Sequence, residues 1–172
     1  MVVMFRRLRT EDLTTLVEWF ADPVVERWWH QSATLDGVTA KYAARIAETG
    51  DPTEMWIAEI DGEPAGLLQC YRHADYPDHD AAIGIGRAVG IDYLLGGAHR
   101  GRGLAGDVLR QFAELVLRRF GDCTVCVATP ARGNEPSWRA LERAGFVRSH
   151  ECQSPDEPPG YAYVYAAPDP NA

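Results

Sequence analysis

The segment Arg100-Gly101-Arg102-Gly103-Leu104-Ala105-Gly106 constrains this chain more than any other. It follows the apolar run Ile91-Asp92-Tyr93-Leu94-Leu95. It precedes Leu104, Val108, Leu109, Phe112, Leu115 and Val116, whose spacing predicts a long amphipathic helix. Glycines at such a junction let backbone N–H groups converge on a ligand, and the helix N-terminus adds its positive end. Arg100 and Arg102 bring charge to the same place. Residues 100–119 hold five arginines against Asp107 and Glu114, so the turn reads as a cradle for an anion such as a pyrophosphate. A nucleoside-triphosphatase loop is excluded, because it ends in Gly-Lys-Ser/Thr and this turn runs Gly-Leu-Ala. Gly101, Gly103 and Gly106 match the letters of a dinucleotide fingerprint. They lie past the middle of the chain, however, after a hairpin expected to break a parallel βαβ unit. Taken alone, the turn leaves open a glycine-rich bend with no ligand.

Around it the pattern predicts a strand at FRRLR and a helix capped by Thr10 and ended by Asp22-Pro23. A second helix is expected over 35–48, then a hairpin about Asp61-Gly62. Residues 73–90 read as an irregular loop or weak strand. After the long helix come the strand TVCVAT, a short helix from Asn134 to Gly145, and the strands FVRSHEC and YAYVYA. That order is α/β with a mixed sheet.

The length of 172 residues fits one domain, and 46% hydrophobic with 24% charged residues excludes wholesale disorder. The formal charge of −8 argues against nucleic acid and anionic membranes as partners, and leaves room for a cationic small molecule. No apolar stretch approaches the roughly 18 residues of a membrane span, and no signal-peptide layout opens the chain, so a cytoplasmic protein is expected. Cys70, Cys123, Cys126 and Cys152 are too scattered for a disulfide scaffold. Cys123 and Cys126, read as one strand, point to opposite faces and cannot share a metal. No metal is expected, although His73 and His79 in the acidic loop leave a faint case for one.

Arg100-x-x-Gly103-x-Ala105, a helix, a strand, and then Asn134-x-x-x-Trp138-Arg139-Ala140-Leu141-Glu142-Arg143-Ala144-Gly145-Phe146 together resemble the GNAT superfamily of N-acetyltransferases. The resemblance covers residues 5–166. It implies the GNAT fold: one α/β domain over 1–172, with a mixed, mostly antiparallel sheet flanked by helices. It implies acetyl-CoA as co-substrate, its pyrophosphate held by Arg100, Gly101, Arg102, Gly103, Leu104, Ala105 and Gly106, with Asn134 and Ser137 beside the pantetheine arm.

Within the superfamily three stretches resemble the aminoglycoside 6′-N-acetyltransferases: Arg27-Trp28-Trp29, Gly66-Leu67-Leu68-Gln69-Cys70-Tyr71, and Gly90-Ile91-Asp92-Tyr93-Leu94-Leu95. This resemblance implies an aminoglycoside amine as acceptor, attacking in a ternary complex, with antibiotic resistance as the outcome. An amine attacks a thioester only as the free base, so Asp92 is placed as the carboxylate that takes or relays its proton. The backbone N–H groups of Tyr93, Leu94 and Leu95 are expected on the thioester oxygen. Trp29, Gln69 and Tyr71 are expected as walls and polar contacts for the acceptor, with one of Trp28 and Trp29 a core residue. Two acidic groups, Asp75, Asp78 and Asp80, and Glu151, Asp156 and Glu157, fit a polycationic acceptor; Asp75, Asp78, Asp92 and Asp156 are its candidate contacts. The chain departs from relatives at Leu141, where a Tyr is common, and at Thr129, where an acid is common. A siderophore-pathway lysine-type N-acyltransferase, a protein N-terminal acetyltransferase and a non-catalytic CoA-binding module are the rival readings. The protein is expected as a monomer or homodimer.

Overall fold

The computed structural model describes residues 1–167. Its strands are β1 (Val3–Arg7), β2 (Glu54–Ile60), β3 (Glu63–Arg72), β4 (Ala88–Leu95), β5 (Val125–Ala128), β6 (Val147–Cys152) and β7 (Gly160–Tyr165). Its helices are α1 (Leu13–Phe20), α2 (Pro23–Trp29), α3 (Leu35–Ile46), α4 (Pro77–Ile83), α5 (Ala105–Arg119) and α6 (Glu135–Ala144). The strand order is β1-β2-β3-β4-β5-β7-β6. β1–β2, β5–β7 and β6–β7 pair antiparallel and β4–β5 parallel, the α/β class and mixed sheet expected. Backbone contacts divide the chain into two compact units, one of Met1–Gln69 with Tyr93–Arg102 and one of Cys70–Asp92 with Gly103 onward.

In the first unit, Leu16, Phe20, Val38, Tyr42, Met55, Ile57 and Leu67 form a core in which α1 and α3 cover β2 and β3. The helix start differs from expectation. Thr10 lies in a 3₁₀ turn, Thr10–Asp12, whose N-cap is Arg9; the Asp12 carboxylate reaches back to accept the Arg9 backbone N–H at 2.8 Å. The same carboxylate takes both guanidinium nitrogens of Arg6, at 2.7 and 2.8 Å. Burial pushes the Asp12 carboxyl up, but the hydrogen bonds from Arg6 and Arg9 outweigh it and hold the group below the ordinary carboxylate value. Asp22-Pro23 does end α1, and it also begins α2: Asp22 accepts from the Val24 N–H at 2.9 Å and Pro23 fills the first helical position.

In the second unit, residues 73–90 are more regular than expected. His73–Asp75 forms a 3₁₀ turn and 77–83 form α4, started by Pro77 and closed by Gly84 at φ +69°. The parallel ladder Ala88↔Val125, Val89↔Cys126 and Gly90↔Val127, joined through α5, is a βαβ unit. The hairpin therefore precedes this unit without breaking it, correcting the earlier expectation. Cys123 lies outside β5, so the opposite-faces argument does not apply to it, and none of the four cysteines forms a disulfide. No helix among the described residues is long and apolar enough to cross a membrane.

Removing the Asp12 carboxylate strands Arg6, whose remaining carboxylate partner is Glu59 at 2.6 Å. Arg6 keeps some solvent contact, so we expect Asp12→Ala to cost about 2–4 kcal/mol of stability, somewhat less than a deeply buried pair. Urea unfolding measures this, and a loss below about 1 kcal/mol would contradict the assignment.

Candidate active site

In the second unit β4 carries Gly90 and Asp92 two residues apart, on one face of the strand. A Cβ at Gly90 would lie 2.6 and 2.7 Å from Cε2 and Cζ of Tyr71, and 2.9 Å from Nε2 of His73. Only glycine admits the Tyr71 ring there. The Tyr71 hydroxyl then donates a hydrogen bond to Asp92. Burial, and after it the Asp92 charge, pushes the phenol well above its ordinary value, so Tyr71 remains the donor.

Around Tyr71 stand His73 (centroids 6.0 Å apart, stacked), Tyr76 (5.3 Å, edge-on) and His79 (5.6 Å, edge-on), with His73 and His79 4.8 Å apart. His73 is buried, its Nδ1 3.9 Å from Asp80, and burial pushes its pKa down to about 4. His79 Nδ1 lies 2.7 Å from the Ser154 hydroxyl, which also hydrogen-bonds the Glu157 carboxyl. Burial depresses His79 against the opposing charges of Asp92 and Asp80. Burial and the Asp92 charge push Glu157 up.

His79 and Glu157 both feel the Asp92 charge, and Glu157 is exposed, as is Asp156, expected as a contact and held at φ +62°. Of the second acidic group, Glu157 is the one whose carboxyl feels the Asp92 charge, and nothing in the spacing distinguished it from its neighbour. Glu151 pairs with Arg132 at 2.6 Å, and Asp75 and Asp78 are exposed on the 3₁₀ turn and the first turn of α4. No cluster of three or more His, Cys, Asp or Glu among the described residues is arranged to hold a metal ion.

In the first unit Trp29 packs on the core, its ring 5.9 Å from Phe20, and its Nε1 donates to the Tyr93 carbonyl at 3.3 Å. The Gln69 carbonyl oxygen accepts from Arg45 at 3.1 Å. Leu94 and Leu95 are buried. Arg100 forms an ion pair with Asp22, the N-cap of α2, so its charge is tethered within the unit. Gly101 has φ +72°, which only glycine adopts cheaply, and Arg102 beside it is exposed; Gly103, of the second unit, has φ +74°.

In the second unit Leu104 precedes α5, which Ala105 begins. Gly106 is buried, and a Cβ there would come within 3.1 Å of the Arg143 Cβ. Its lack of a side chain therefore serves the packing of α5 on α6. The Asn134 side chain accepts from the Ser137 N–H at 3.4 Å and caps α6. Leu141 is fully buried and Thr129 half-buried.

Residues 9–154 match the acetyltransferase (GNAT) domain family: the chain belongs to that family and is an acetyl-CoA-dependent N-acetyltransferase. It is 31% identical over 170 residues to aminoglycoside N(6′)-acetyltransferase type 1 of Klebsiella pneumoniae, covering 90% of this chain and 79% of that protein, and equally to that of Serratia marcescens. A solved structure of AAC(6′)-Ib with coenzyme A and kanamycin superposes with a TM-score of 0.79 at 26% identity, covering 96% of this chain and 95% of that one. The same enzyme with ribostamycin and coenzyme A gives 0.80 at 26% identity, covering 97% and 94%.

His73 supplies a pH signature. Its folded pKa of about 4 lies below the ordinary 6.5, so the unfolded chain takes up the proton first as pH falls. Its contribution to stability is whole above about pH 6.5 and declines toward about pH 4, by as much as ~3 kcal/mol. We expect His73→Phe to flatten the loss seen in urea melts between pH 7 and 4.5. An unchanged slope would contradict a buried neutral imidazole.

Proposed function

We propose that this enzyme transfers acetyl from acetyl-CoA to the 6′-amine of an aminoglycoside antibiotic, by direct attack in a ternary complex. The observation that carries the reading is the Tyr71–Asp92 hydrogen bond over Gly90, which ties two of the three stretches shared with aminoglycoside 6′-N-acetyltransferases into one arrangement. Relatives at 31% identity with that activity support it, as do solved neighbours holding kanamycin or ribostamycin.

In this reading Asp92 receives the proton that the acceptor ammonium must lose, and Tyr71 holds the carboxylate in place. The freed amine attacks the thioester carbon, and the backbone N–H groups of Tyr93, Leu94 and Leu95, next along β4, receive the negative charge that grows on its oxygen. The C–S bond then breaks and the thiolate leaves. The turn Gly101–Gly103 with Arg102 receives the pyrophosphate. Asp75, Asp78, Asp156 and Glu157 provide negative charge for the acceptor's remaining ammonium groups. Acetylation removes one positive charge from the drug, so resistance follows.

Release of CoA thiol with kanamycin tests this. We expect turnover by the wild type, and for Asp92→Asn a loss of about 10²–10⁴ in kcat with acetyl-CoA affinity unchanged. Wild-type binding of acetyl-CoA without acetylation of kanamycin would overturn the acceptor. A wild-type rate and pH profile in Asp92→Asn would make Asp92 structural.

A further inference from the structure

The turn proposed to receive the pyrophosphate begins at Gly101, where little packing holds the chain. Gly101 and Arg102 are exposed, and a Cβ at Gly101 would find no atom within 4 Å. Glycine loses more conformational freedom than any other residue when it is fixed. Holding its backbone N–H on an anion is therefore costly unless the chain beside it is anchored. The anchor lies immediately upstream, in the first unit. The Gly96 N–H donates to the Ala65 carbonyl of β3 at 2.9 Å, and a Cβ at Gly96 would lie 2.5 Å from Trp19 Nε1 of α1. The 3₁₀ turn Gly97–His99 follows, closed by the Arg100 N–H on the Gly97 carbonyl at 3.3 Å.

The Arg100 side chain folds back over that turn. Nη1 donates to the Leu95 carbonyl at 3.4 Å, and Nη2 pairs with Oδ2 of Asp22, between α1 and α2. A Cβ at Gly97 would stand 3.3 Å from both Nη2 and Oδ2, so the pair lies across this glycine. Asp22 uses its two oxygens separately: Oδ1 accepts the Val24 N–H at 2.9 Å and caps α2, while Oδ2 takes Arg100. Arg100, and after it the Val24 N–H, hold the carboxyl below its ordinary value, so it is ionised at neutral pH. A guanidinium engaged in this way contributes position to the turn more than free charge to a phosphate.

We propose that Asp22 is a positioning residue for acetyl-CoA: by holding Arg100 at the junction of α1 and α2 it fixes the start of the glycine turn, so that the turn meets the pyrophosphate already ordered. This rests on the reading of that turn as the pyrophosphate site. Arg102, exposed and next in the chain, supplies the charge that faces the phosphates. The pair spans 78 residues of sequence, so the aspartate that ends one helix and caps the next also sets the cofactor turn.

Asp22→Asn separates the two tasks. Its amide oxygen still caps α2, because Asn and Asp cap equally well, while the NH₂ that replaces Oδ2 cannot accept from Arg100. In calorimetric titrations with coenzyme A, this variant is expected to raise Kd about 3- to 10-fold while remaining folded. Arg100→Gln should raise Kd by the same factor, and the double variant should raise it no further, since both remove one interaction. In turnover with kanamycin the loss in Asp22→Asn should fall on KM for acetyl-CoA and leave kcat near wild type. Tighter binding in Asp22→Asn, as a freed Arg100 reaching the phosphates would give, or additive losses in the double variant, would overturn the proposal. Arg102→Gln distinguishes it from the reading beneath it. Unchanged coenzyme A binding in Arg102→Gln would remove the pyrophosphate from the turn. Weakened binding there, beside wild-type affinity in Asp22→Asn, would overturn the role of Asp22 alone.

Discussion

A missing side chain at Gly90 lets the Tyr71 ring occupy the space where a Cβ would stand, and the Tyr71 hydroxyl reaches Asp92 on the same strand face. The remaining chemistry depends on that contact. It desolvates the phenol, orients the carboxylate, and makes the wall against which His73, Tyr76 and His79 pack edge and face. An alanine at Gly90 would push Tyr71 and His73 away together, so the glycine of Gly-Ile-Asp and the tyrosine of Gln-Cys-Tyr have one physical cause.

Much of this was readable from residue order, and the failures have definite reasons. Hydrophobic spacing located α1, α3 and α5, and Asn134 with Gly145 marked the ends of α6. Asp22-Pro23 was read only as a stop, although an Asn/Asp cap followed by Pro is also a start signal, and α2 was missed. Residues 73–90 looked irregular because their Gly, Pro and Asp content masked a two-turn helix bounded by Pro77 and Gly84. Asp92 stands out in the sequence by its position just before the glycine turn. Glu157 and His79 do not, since the contact that ties His79 to the Glu157 loop, through Ser154, spans 75 residues of sequence.

Charge behaves less simply than the net −8 implies. Arg100 is tethered by Asp22, and Glu151 by Arg132, so neither is the bare charge that its place in the sequence indicates. The exposed Arg132–Glu151 pair contributes little to stability, and both pairs set which charges a ligand meets. Gly101, Arg102 and Gly103 are all exposed, so the turn proposed for the pyrophosphate is open to solvent. Around Asp92 burial acts first: it depresses His79 and raises Glu157, while the Asp92 charge opposes the first shift and adds to the second.

The central claim is that Asp92 and its neighbours deprotonate one particular amine of a polyamine sugar. The most direct measurement is the position of the acetyl group in the product made from kanamycin and acetyl-CoA, read by two-dimensional NMR. A single acetamide at the 6′ nitrogen is the result the account predicts. Acetylation at another nitrogen, or an untouched drug with CoA bound, would contradict it.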